Sequence, residues 1–185
     1  MNNTYAEVAQ GLLTAGTPGS HRELGGSCAT TTELAVTASL FLHLAASSAE
    51  SLPRQQAAQD EATTLLVFGP TCAPHRVAEN VAASLGAGNS VQVALFAPAE
   101  PLLLILFATL TRLLPERFML LSEGSGWTTS SAETSIVVVT DADAFVNSTP
   151  WIHHRASTVD IFTSGLIAFY RTPGVGPTAR ERESW

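Results

Sequence analysis

The stretch TTLLVFGPTCAPHRVAENVAASLG, Thr63 to Gly86, decides how this chain is read. Thr64 to Phe68 is a short apolar run closed by the turn residues Gly69-Pro70-Thr71, which predicts a buried strand. Pro74 suits the first turn of a helix, where its missing N–H has no intrahelical partner to lose, and Val77, Val81 and Leu85 then share one face. Gly86 reads as the helix stop. Strand, turn and helix in this order form the unit of an α/β sheet, and the residues downstream repeat it. Val91 to Phe96 reads as a second strand, Pro101 to Leu114 as a buried helix ended by Pro115, and Phe118 to Leu121 as a third strand. Ser135 to Thr140 (SIVVVT) is the strongest strand pattern of all. Further on, Val159 to Thr163 and Leu166 to Tyr170 flank Ser164-Gly165, a two-residue hairpin signal. The expected fold is α/β: a mostly parallel sheet flanked by helices, with a C-terminal antiparallel hairpin and an N-terminal helical arm.

Upstream of Thr63 the period is that of helices. Thr4-Tyr-Ala-Glu7 has the form of a capping box, after which Tyr5, Val8, Ala9, Leu12 and Leu13 recur at helical spacing to about Thr14. A second box, Thr30 to Glu33, opens a longer helix with Leu34, Phe41, Leu44 and Ala45 on one side. Its many Thr and Ser residues weaken the intrinsic propensity, so burial must hold it. Ser51 to Ala62 is polar and reads as a linker. The expected organisation is therefore a helical arm over 1–50, a linker over 51–62, an α/β core over 63–173 and a mobile tail over 174–185. The apolar faces of the arm, with Tyr5, Val8, Leu12, Phe41 and Leu44, are candidate contacts for a partner protein.

Composition narrows the function classes. The 185 residues are 45% hydrophobic and 14% charged, which fits a folded domain and excludes disorder throughout. Nine basic residues, all Arg, stand against sixteen acidic ones for a net charge of −7. No basic stripe of the kind that binds nucleic acid is present. Two cysteines, Cys28 and Cys72, make no disulfide framework and no CxxC pair, so an intracellular setting is expected. The N-terminus has neither the basic n-region nor the long apolar core of a secretory signal. Leu102 to Leu110 is about half the roughly 20 residues a membrane span requires, so no membrane contact is expected.

The chemistry-bearing candidates cluster after the first core strand. A helix N-terminus offers N–H groups and a positive dipole end to phosphate. Laid over G-x-x-x-x-G-K-[ST], the segment Gly69 to Arg76 keeps the first glycine alone. Pro74 removes an N–H where the second glycine stands, His75 replaces the lysine, and Arg76 replaces the magnesium-binding hydroxyl. The chain has no lysine anywhere. Ordinary ATP hydrolysis is excluded here, while Gly69, Thr71, His75 and Arg76 remain candidates for a simpler anion. Asp141 follows an apolar strand, where a metal-organising carboxylate belongs, with Asp143 as its neighbour. The alternative for both is a solvated strand end. Cys72 near a helix N-terminus and His75 beside it allow a nucleophile pair, against an inert turn cysteine. His153 and His154 are adjacent and so diverge from any one metal. His43, within an apolar helix, reads as a core or interface residue. Neither a metal nor any other cofactor is called for.

The order of these pieces resembles something known. A strand with a P-loop-like turn at Gly69, two strand–helix units, a strand ending in VVVTDADAF, then HHRASTVDIF and LIAFYRTP resembles the C-terminal half of RecA-like ATPase domains, over roughly Thr63 to Pro173. The missing lysine and Ser/Thr, and the lack of a catalytic glutamate after the second strand, make the resemblance one to that family's non-catalytic members, such as recombinase paralogues and the RecA-like subunits of Elongator. The resemblance implies an assembly partner rather than a motor, working alongside other protein subunits. A small α/β enzyme or nucleotide binder using Cys72, His75, Arg76 and Asp141 is the competing reading. A third is a host- or virus-interaction protein of unrelated fold.

Overall fold

A computed structural model describes residues 2–17, 28–50, 63–96, 98–121, 134–140, 143–146 and 149–153, together with Leu166, Ile167 and Tyr170. Helices α1 (Asn2–Ala15) and α2 (Cys28–Glu50) come first. Then β1 (Thr63–Phe68), α3 (Pro74–Gly86), β2 (Ser90–Leu95), α4 (Pro101–Leu113) and β3 (Phe118–Leu120) alternate. The series closes with β4 (Thr134–Val139), β5 (Asp143–Val146) and β6 (Thr149–His153). The expected strand–helix alternation and the α/β class are borne out. The described strands form one sheet in the order β3-β2-β1-β4-β5-β6. The first four strands run parallel and the last two antiparallel.

Period-2 alternation sorts the strand side chains between two faces. Leu66 and Phe68 of β1, Val91 and Val93 of β2, Phe118, Val137 and Val139 join the main core with α3 and α4. Leu65, Val67 and Ala94 occupy the opposite face, with Ile136 and Leu121 packed against them. Phe107 and Phe118 stack at 5.6 Å, joining α4 to β3.

The N-terminal helices form a further layer over α3 and α4. Tyr5, Val8, Leu12, Phe41 and Leu44 are each no more than 5% exposed and lie in the same core cluster as the sheet. Complete burial of such side chains contributes roughly 2 kcal/mol apiece, or on the order of 10 kcal/mol together before the entropic cost of ordering them. That is comparable with the whole net stability of a typical domain, about 5–15 kcal/mol. Contrary to their reading as a partner-facing surface, these five residues face the chain's own α3–α4 layer. Both helices also begin two residues before the expected capping boxes, which places Thr4 and Thr30 inside them.

The end of α3 shows which glycine does which work. Asn89 N–H donates to Ser84 O at 3.2 Å and Gly88 N–H to Leu85 O at 3.1 Å, a Schellman closure. Gly88, at φ 101°, carries the left-handed conformation. Gly86 instead permits close packing of α2 on α3, because a Cβ there would stand 2.5 Å from Leu44 Cδ2.

The antiparallel hairpin is present, at a different place in the sequence. β5 and β6 pair across the two residues Asn147 and Ser148, with Val146 opposite Thr149. Pro150 lies in β6, the outermost strand, as a residue without an N–H requires. Leu166, Ile167 and Tyr170, expected in a strand, have helical backbone. Their burial at i, i+1 and i+4 follows the helical period and not the strand one. Residues 159–163, the linker at 51–62 and the tail at 174–185 lie outside the described residues.

Candidate functional site

In open parallel sheets ligands bind beyond the carboxyl ends of the strands, at the switch point where strand order reverses. Here β1 is followed on one side by β2 and β3 and on the other by β4, so the switch point lies between β1 and β4. The segment Gly69 to Arg76, which holds the candidate anion-binding residues, leaves β1 at that point.

The backbone amides of Gly69, Cys72, Arg76 and Val77 donate within the chain. Gly69 N–H donates to Val139 O of β4 at 3.1 Å, extending the ladder across the switch point. Cys72 N–H donates to Gly69 O at 3.1 Å, closing a β-turn with Pro70 at its second position. Arg76 and Val77 N–H both point to Ala73 O, at 2.9 and 3.3 Å. Pro70 and Pro74 have no N–H to offer. A phosphate loop needs successive amides aimed at one anion, and here those of Gly69, Cys72, Arg76 and Val77 are aimed at carbonyls.

The side chains diverge as well. Arg76 is buried at 8% exposure, and its Nη1 meets Glu79 Oε2 at 2.9 Å within α3. His75 and Thr71 are exposed, and Cys72 is half-buried. Thus Arg76 is turned into the fold while His75 stands in solvent, and the two do not converge on one anion. Asp141 and His154 lie outside the described residues. His43, expected in the core or at an interface, is exposed on α2 and so is no core residue; the neighbouring Phe41 and Leu44 carry the packing there. Among the described residues no group of three or more His, Cys, Asp and Glu is placed to hold a metal ion, and no helix is long and apolar enough to cross a membrane.

A cleft does open beside the turn, between the ends of β1 and β2. Its volume is about 50 Å³, against roughly 300–1,000 Å³ for a site that encloses a small molecule. Phe68, Val77 and Leu103 are its buried floor, and Pro70, Phe96, Pro98 and Glu100 its exposed rim. Among the described residues Glu100 is the single charged side chain in the lining. Sequence reasoning passed over Phe96 and Glu100 as site residues; the signal was an aromatic residue at a strand end followed by Ala-Pro-Ala-Glu-Pro.

A second polar group, also missed, lies around α3. Tyr170 donates its hydroxyl to Asn80 Oδ1 at 2.8 Å and accepts at its carbonyl from Asn89 Nδ2 at 3.1 Å. Asn80 Nδ2 in turn donates to Arg76 O at 2.8 Å. Burial pushes the Tyr170 phenol well above its ordinary pKa. These bonds pin the segment at Tyr170 onto α3 and give the buried side chains of Asn80, Asn89 and Tyr170 hydrogen-bond partners.

Compared with known proteins, the chain matches no family model, no curated protein and no solved structure.

Proposed function

We propose that this chain works as a non-enzymatic scaffold or assembly subunit of a protein complex, built on a degenerate P-loop-like α/β core of the RecA-like kind. The observation that carries the reading is the Gly69 to Val139 hydrogen bond at the switch point, with the amides of Cys72, Arg76 and Val77 turned onto carbonyls. A nucleotide would have to break these bonds and enlarge a cleft of about 50 Å³. With the α1–α2 face internal, the contact surface is the open edge of the sheet at β3. There Met119 and Leu120 are 53% and 43% exposed, and an unpaired strand edge is a ready acceptor for another chain.

Two measurements test the reading. Magnesium with ATP or GTP is expected to leave the melting temperature unchanged, whereas a ligand at a hundred times its Kd would add about 2.7 kcal/mol. A rise abolished by His75→Ala with Asp141→Ala would establish the nucleotide-binding alternative instead. Purification of the full chain from its native cells is expected to recover a stoichiometric partner, lost on Met119→Arg in a variant that still folds. A monomer without a partner overturns the scaffold reading.

A further inference from the structure

Resting on that reading, we propose that the cleft between β1 and β2 is a socket for a basic side chain, most favourably Arg, presented by the partner protein. Its size excludes an enclosed small molecule and suits the end of one side chain. The floor of Phe68, Val77 and Leu103 accepts an aliphatic stem, and the rim supplies what a cation needs at its head. Phe96, 57% exposed, offers an aromatic face. Glu100, the one charged group among the described lining residues, is exposed at the cap position before α4 without making a side-chain cap bond. No ion pair to it occurs among the described residues.

Charge complementarity selects the occupant. An apolar floor beneath the Glu100 carboxylate favours a long cationic side chain over a neutral one, and it opposes an acidic one on a chain of net charge −7. Arg is favoured over Lys because its planar head stacks on an aromatic ring while pairing with a carboxylate. The position is also apt. β2 and β3 are parallel neighbours, so the socket lies at the carboxyl end of the strand adjoining the open edge assigned to the partner.

The test uses the full chain labelled for amide NMR, titrated at millimolar concentration with N-acetyl-Gly-Arg-Gly-amide and with the Leu counterpart. The Arg peptide is expected to move the amides of Gly69, Cys72, Phe96 and Leu103 in a saturating manner, and the Leu peptide is not. Glu100→Gln and Phe96→Ala, both at exposed positions, should each weaken the Arg peptide about threefold. Equal response to the Leu peptide overturns the proposal, as do shifts spread over the acidic surface that Glu100→Gln leaves unchanged, or no shift at all. Self-association abolished by Glu100→Gln gives the socket to a second copy and overturns it too. A recovered partner that binds both variants with unaltered affinity removes the socket while leaving the scaffold reading intact. Arg-peptide binding in a chain without a partner does the reverse.

Discussion

The Tyr5 hydroxyl and the Arg117 guanidinium converge on one acceptor, the Leu85 carbonyl at the end of α3, at 2.6 and 3.0 Å, and meet each other at 3.2 Å. Arg117 Nη2 also reaches Asn89 O at 2.9 Å. The last carbonyls of a helix lack intrahelical partners and carry the negative end of its dipole, so a cation and a hydroxyl there satisfy both. One point thus joins α1, α3 and the entries to β2 and β3.

Tyr5→Phe should therefore cost about 1 kcal/mol in urea unfolding. Arg117→Lys should cost about 2 kcal/mol, since a single ammonium cannot reproduce the fork that bridges three oxygens. The double variant should fall short of the sum by at least about 0.5 kcal/mol, because both residues act through one carbonyl. Strict additivity would mean that the shared acceptor has no energetic weight.

Close packing at Gly86 makes a second prediction. Gly86→Ala gains helix propensity of about 1 kcal/mol but drives a methyl into Leu44 Cδ2, which is itself buried and has little freedom to move. A net loss of about 1 kcal/mol is expected. Leu44→Ala alone should cost about 3 kcal/mol, and in that background Gly86→Ala should become stabilising. Calorimetric melting of the four proteins distinguishes the outcomes.

Tyr170 makes stability depend on alkaline pH. Its neutral form is favoured in the fold, so its folded pKa lies above the unfolded value near 10. The stabilisation is complete below pH ~10 and is lost above it, as the unfolded chain releases a proton that the folded chain retains. The slope should approach about 1.4 kcal/mol per pH unit. Tyr170→Phe should lose about 1 kcal/mol at neutral pH, through the orphaned Asn80 Oδ1, and should remove that slope. Denaturant titrations from about pH 8 to about pH 11 read both effects.

Arg76 and His75 should behave oppositely although they are neighbours. Arg76→Ala leaves the Glu79 carboxylate without its ion pair in a largely buried setting and should cost about 2–3 kcal/mol. Exposed His75→Ala should stay within about 0.5 kcal/mol of the parent chain. Equal, small effects would indicate that Arg76 is free to serve an anion.

The alternation of strands and helices from Thr63 onward was legible because each element carries its own period. TLLVF is buried throughout and SIVVVT alternates, with Val137 and Val139 buried and Val138 exposed, while Pro74 and Pro101 stand at helix starts where a proline does least harm. The apolar stripe of α1 and α2 was legible for the same reason. What covers that stripe was not, since periodicity identifies a buried face without identifying its partner. Only the packing of α1 on α4 and α2 on α3 turned Tyr5, Leu12, Phe41 and Leu44 from a surface for another protein into the chain's own core.

The turn after β1 divides in the same way. Loss of the lysine and the second glycine, visible in Gly69 to Arg76, by itself ruled out a working phosphate loop. That Gly69 N–H bridges to Val139 was decided by tertiary structure, because β4 lies far from this segment in sequence; the Arg76–Glu79 pair, three residues apart on α3, is by contrast a local contact. Tyr170 is the extreme case. Its five-residue context, Leu166 to Tyr170, reads as a strand, and the buried Asn80 and Asn89, 90 and 81 residues away, supply the bonds that fix its place on helical backbone instead. Local pattern fixes which backbone conformations are cheap; the pairing of buried polar groups across the fold fixes which of them is used.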